Sequence, residues 1–125
     1  ETASTLHDRL ASMGGELLLR TLKEPLRPQE QDHQVATFCR KLTRDDGIVD
    51  PATMTAQEID RCVRSLTPWP GVTWNGMKVL KTSLEQKPEA YALTCKDKTT
   101  LYIQTIQPPS KKPMSGADFL RGYTL

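Results

Sequence analysis

The tightest local constraint in this chain is the dipeptide Asn75-Gly76, set between Val72-Thr-Trp74 and Met77-Lys-Val-Leu-Lys-Thr82. A two-residue hairpin turn of type I′ needs positive φ at both central positions, and Asn-Gly meets that need at little steric cost. A β-hairpin is therefore predicted over residues 72–82. A second pair of strands is predicted from Tyr91 to Cys95 and from Thr99 to Gln107, around a polar turn at Lys96-Asp97-Lys98. Tyr91, Leu93 and Cys95 alternate onto one face, as do Leu101 and Ile103.

A capped helix should precede the hairpins. Thr55-Ala-Gln-Glu58 is a capping box, in which the hydroxyl takes one orphan amide and the glutamate returns to the cap residue. Ile59, Val63 and Leu66, with Ala56 and Cys62 beside them, form one apolar stripe. Pro68 disfavours helical geometry at Thr67 and ends the helix. Pro70-Gly71 then suits a type II turn, with glycine at positive φ. Near the C-terminus, Ser115 begins a short helix, with Asp118 at the third position and Gly122 closing it. Residues 35–50 mix short apolar stretches with a turn at Asp46-Gly47 and are expected to be irregular or briefly extended.

The N-terminal region reads differently. Residues 5–23 form a helical pattern, with Thr5 as the expected cap and a stripe of Leu6, Leu10, Met13 and Leu17. Leu17-Leu18-Leu19 and Leu22 make its second half apolar nearly all round, yet nothing nearby in sequence can cover it. The helix therefore looks orphaned from its partner. Lacking one, it should be disordered, fold back on the rest, or pair with a second copy through the same stripe. Pro25, Pro28 and the polar run Gln29–Gln34 read as a linker over residues 25–37.

Composition narrows the function classes. The 125 residues suffice for one core plus an appendage. Mean hydropathy is −0.52, and no run approaches the roughly 20 apolar residues of a membrane span. The N-terminal residues lack a signal-peptide pattern, and a start at Glu1 reads as a processed or excised piece. Cys39, Cys62 and Cys95 are odd in number and far apart, which points to a reducing cytosol or organelle matrix and to core or near-core roles rather than zinc or disulfides. Residues 1–37 carry four basic and six acidic groups, residues 38–125 thirteen and nine. The C-terminal part is thus the basic one, as a phosphate-binding surface would be.

Read in order, four segments resemble the methionyl-tRNA formyltransferase family. LHDRLASMGGELLLRTL is similar to the closing helix of that family's catalytic domain. ATFCRKLTRDDGIVD resembles the segment leading into its C-terminal domain, and EIDRCVRSLTPWPG a helix ending in the family's Pro-Trp-Pro-Gly turn. IQPPSKKPMSGADFLRG is similar to its C-terminal signature. The resemblance implies the following organisation: residues 1–24 as the last helix of an absent catalytic domain, 25–37 as linker, and 38–125 as an OB-like β-barrel that binds tRNA. It implies formyl transfer from 10-formyltetrahydrofolate to initiator Met-tRNA in the cytoplasm or an organelle matrix, with this chain alone inactive, because the family's catalytic residues lie upstream. Three departures stand out. Pro51 replaces a usual Trp, Ser110 replaces the glycine before Lys111-Lys112, and only Lys87–Ala90 separates the hairpins, so the barrel should be shortened to about four main strands.

On this resemblance Arg40, Lys41, Arg44, Lys111 and Lys112 are the candidate tRNA contacts, the lysines from a loop stiffened by Pro108, Pro109 and Pro113. Arg40, Lys41 and Arg44 could equally pair with Asp45 and Asp46. Arg61 and Arg64 are expected to be satisfied by Glu58 and Asp60 one helical turn away. Trp69, Pro70 and Gly71 form a structural anchor, with Trp69 favoured as a packing residue over a base-stacking one. Trp74, abutting a turn, and Tyr102 are the candidates for exposed stacking aromatics, although tRNA stems are mostly read by backbone and shape. Asp45-Asp46 reads as a turn, and His7 and His33 as solvated residues without metal-ligand spacing. The rival reading is a structural or dimerising domain of a sugar-nucleotide N-formyltransferase with no RNA role. The Pro-Trp-Pro-Gly turn and the lysine loop weigh against it.

Overall fold

The computed structural model describes residues 1–123. Its helices are α1 (Ala3–Thr21), α2 (Ala56–Leu66) and α3 (Gly116–Gly122). Its strands are β1 (Val72–Trp74), β2 (Met77–Ser83), β3 (Tyr91–Thr94), β4 (Thr100–Gln107) and β5 (Met114–Ser115). All pair antiparallel in one sheet of order β1-β2-β4-β3, with β5 added beside β4.

The predicted hairpin forms as expected. Trp74 faces Met77 in register, and Asn75 and Gly76 take φ of 47° and 74°. The sheet has a fifth strand that the four-strand expectation missed, because a two-residue strand carries no alternation to read. Among the described residues no pairing joins β1 to β3, so the sheet does not close into a barrel. Register shifts on either side of Lys81 bend β2 against β4.

The core lies between α2 and the inner face of the sheet. Ala56, Ile59, Val63 and Leu66 pack on Val72, Val79, Leu101, Ile103 and Ile106, all buried. The Thr55 N–H donates to Glu58 Oε2 at 2.8 Å, and the Glu58 N–H donates to Thr55 Oγ1 at 3.3 Å, completing the capping box. Thr99 Oγ1 accepts from the Ala56 N–H at 2.9 Å, tying the helix start to the β3–β4 turn. Asp60 is buried and accepts from Thr82 Oγ1 (2.8 Å) and Arg64 Nε (2.9 Å), which clamps α2 to β2. At the other end, Phe119 is fully buried and Gly116 lies against the sheet. A Cβ on Gly116 would sit 2.2 Å from Tyr91 N and 2.3 Å from Ile103 O, so only glycine fits.

Four expectations need correction. Helix α1 starts at Ala3, capped by Thr2 rather than Thr5, because Thr2 and Thr5 cap each other reciprocally. Trp69 is 56% exposed, not a packing residue. Trp74 takes the interior place instead at 7% exposure, stacked on Tyr91 with ring centroids 6.1 Å apart. Period-2 geometry explains the burial of Trp74, since Val72 and Trp74 lie two apart on β1 and share its inner face. Cys39 is exposed, whereas Cys62 and Cys95 are partly and fully buried, so the near-core assignment fails for Cys39 alone.

Candidate nucleic-acid interface

The segment before α2 is fixed to the sheet by its backbone. Thr43 caps a 3-10 turn over Arg44–Gly47, with Asp46 accepting from the Thr43 N–H at 2.7 Å and from its hydroxyl at 3.1 Å. Gly47 presses on the Pro-Trp-Pro-Gly turn so closely that a Cβ there would lie 1.9 Å from Gly71 O. Gly71 holds φ +81° as predicted, and its N–H donates to Leu66 O at 2.8 Å; the bonds preceding Pro68 and Pro70 are both cis. Beyond Gly47, the Val49 N–H donates to Thr73 O at 3.0 Å, and Ile48 bridges Thr73 in parallel. The segment thus runs along the outer edge of β1.

These contacts decide which of its cations are available. The Arg40 guanidinium donates to both Asp46 carboxylate oxygens, one at 2.8 Å. That pairing and the Thr43 amide hold the Asp46 carboxyl well below the usual carboxylate range, and Asp46 in turn raises Arg40. Arg40 is therefore engaged locally. Lys41 and Arg44 are exposed and make no ion pair among the described residues. Arg64 pairs with Asp60, as the helix spacing predicts, while Arg61 has no ion pair among the described residues.

The lysine loop joins the end of β4 to β5. Its backbone is pinned by the Lys111 N–H donating to Pro108 O (3.2 Å) and by Gln107 Nε2 donating to Lys111 O (2.8 Å). Ser110 takes φ +60° where glycine would be unstrained. Lys111 and Lys112 are exposed and without an ion pair among the described residues.

Strand register connects the two groups. Thr73 pairs with Lys78, and Lys78 with Gln107. Their neighbours Val72, Val79 and Ile106 are buried, so Thr73, Lys78 and Gln107 occupy the outer face. With Ile48 beside Thr73, a row runs Ile48–Thr73–Lys78–Gln107, roughly 14 Å at the usual strand spacing. In sequence Arg44 precedes Ile48 by four residues, with Asp45 and Asp46 between them, and Lys111 follows Gln107 by four; the row itself contains no carboxylate.

Among the described residues, no group of three or more His, Cys, Asp or Glu is placed to hold a metal ion, and His7 and His33 are exposed. No helix of the described residues is long and apolar enough to cross a membrane.

Comparison with known proteins decides the family. The formyl transferase C-terminal domain family matches residues 41–124. This chain belongs to that family. It is similar to the methionyl-tRNA formyltransferase of Gluconobacter oxydans, at 40% identity over 98% of this chain and 44% of the relative. The enzymes of that name from Nitratidesulfovibrio vulgaris (37% identity, 98% of this chain, 45% of the relative) and Campylobacter jejuni (30%, 100% and 46%) are also similar. The chain therefore spans less than half the length of these relatives. The first two matches run over 136 and 150 residues, so those formyltransferases carry residues within the matched span that this 125-residue chain lacks.

The residue that sequence reading of this formyl transferase domain passes over is Lys78. It lies in the predicted hairpin as an ordinary outward-facing strand residue, and its register with Gln107 involves a strand 29 positions away.

Proposed function

We propose that this chain is the tRNA-binding C-terminal part of a methionyl-tRNA formyltransferase. In this reading a region outside the chain transfers a formyl group from 10-formyltetrahydrofolate to initiator Met-tRNA, in the cytoplasm or an organelle matrix. The chain alone is inactive and acts as a docking surface, holding the tRNA body by its phosphates while the acceptor end reaches the reaction centre elsewhere. The observation that supports this reading is that Lys41, Arg44, Lys111 and Lys112 are exposed and free of ion pairs among the described residues, on the segments that lead into and out of one outer row. The names of the relatives supply the tRNA substrate.

Within this proposal α1 belongs to the absent catalytic region. Leu10, Met13, Leu17 and Leu18 are all more than half exposed, and a helix that apolar is ordinarily covered. Covering it would seat the catalytic region beside the linker.

The test is tRNA binding by this chain across a salt series. Four phosphate contacts give a slope of about −3 to −4 in log K against log salt concentration. Affinity that stays level as salt rises would rule out phosphate contact and favour a domain without an RNA role.

A further inference from the structure

We infer that Lys78 is a phosphate contact in its own right, and that the tRNA backbone crosses the outer face of the sheet instead of following its edges. The inference rests on the tRNA-binding reading above and adds a path to it. Lys78 is exposed, makes no ion pair among the described residues, and stands between the two cation groups on the Ile48–Thr73–Lys78–Gln107 row. Gln107 is its cross-strand partner, and Gln107 also holds the Lys111 carbonyl, so one side chain couples Lys78 to the lysine loop.

The surface around it is shaped. Pro68, Pro70, Thr73, Lys78, Leu80 and Gln107 line a shallow depression of about 200 Å³ between the Pro-Trp-Pro-Gly turn and the sheet. A polyanion bridging Lys111-Lys112 and Arg44 would cross this depression, and Lys78 is the one charged residue among those that line it. Each cation that meets a phosphate releases condensed counterions, and that is the contribution Lys78 would add to binding.

A charge-matched control exists in the same domain. Lys98 is exposed and without an ion pair among the described residues, but it lies in the turn before β4, at the opposite end of that strand from Gln107. The β4 strand between them is about 24 Å long. Binding of initiator tRNA by the chain is measured between 50 and 200 mM salt for Lys78→Ala, Lys98→Ala, Lys78→Arg and the Lys111→Ala/Lys112→Ala pair, with thermal unfolding of each confirming the fold. Lys78→Ala is expected to reduce the salt slope by about one, so that the loss of affinity across that range shrinks roughly fourfold. Lys98→Ala should leave the slope unchanged, and Lys78→Arg should keep the wild-type value. If the lysine-loop pair lowers the slope and Lys78→Ala does not, the path over the sheet is wrong while the tRNA reading stands. Equal effects of Lys78→Ala and Lys98→Ala would mean that only net charge matters, which overturns the assignment. A salt-independent wild type would overturn both.

Discussion

Helices α1 and α2 begin in the same way and end up in opposite environments. Each opens with a reciprocal capping box, Thr2 with Thr5 and Thr55 with Glu58. Each carries an apolar stripe. Yet α2 buries Ala56, Ile59, Asp60, Val63 and Leu66 among eleven residues, and α1 buries none of nineteen. Caps and periodicity decide where a helix starts and which way its apolar side points. They supply no partner, and most helix stability in a protein comes from packing that side against something. Helix α2 has the sheet and α1 has nothing comparable within this chain.

The largest expected effect sharpens this contrast. Ile59→Ala should cost about 2–5 kcal/mol, because it removes a fully buried side chain from between helix and sheet. Leu17→Ala should stay within about 0.5 kcal/mol in this chain, since the leucine is already half exposed. Urea unfolding of both variants tests the pair. In a full-length protein whose catalytic region covers α1, Leu17→Ala should become as costly as Ile59→Ala; neutrality there would break the view of α1 as part of that region.

A smaller effect concerns the caps. Thr55→Ala should lower the stability of the domain by about 1 kcal/mol, because the cap is coupled to the folding of α2 and its core. Thr2→Ala should reduce the helical signal of α1 while leaving the unfolding midpoint of the domain in place. A matching shift of the midpoint would show that α1 and the sheet domain unfold together.

The smallest effect is one of pH. Hydrogen bonds from the Thr55 backbone and hydroxyl hold the Glu58 carboxyl below its ordinary value. A carboxylate lowered in the folded state contributes stability above its unfolded pKa, about 4.3, and that contribution disappears as pH falls through the lowered folded value. The α2 cap should therefore weaken below roughly pH 4. In Glu58→Gln the amide oxygen can still accept the Thr55 N–H but does not titrate, so this component of the pH dependence should vanish. The α1 box has threonine in the corresponding place and should contribute no such component. Identical pH profiles for Glu58→Gln and wild type would refute the assignment.

Much of the fold is legible where a signal is local. The start of α2 at its Thr55 cap, its stop before Pro68, the Asn75-Gly76 hairpin, the β3–β4 pair and the Ser115 cap of α3 all follow from residues within a few positions of one another. The cap of α1 escapes because Thr2 finds a hydroxyl partner where an acidic one is usual. The burial of Trp74 has a readable cause, the parity of β1, which outweighs proximity to the turn. The candidate site is less legible. Its cations are visible as types, but Arg40 is tied up by an aspartate six residues away, and Lys78 joins the others only through a pairing across β4. Register of that range has no short sequence signature.

The abutment of Gly47 on Gly71 has a mechanical meaning. Two backbones meet there with no side chain between them to slide or flex, so residues from Thr43 onward travel with the sheet as one piece. If an upstream region swings to admit or release a bulky substrate, its motion cannot pass through the seat of Gly47 on Gly71. Arg44 then keeps a fixed distance from Lys111 through the whole stroke.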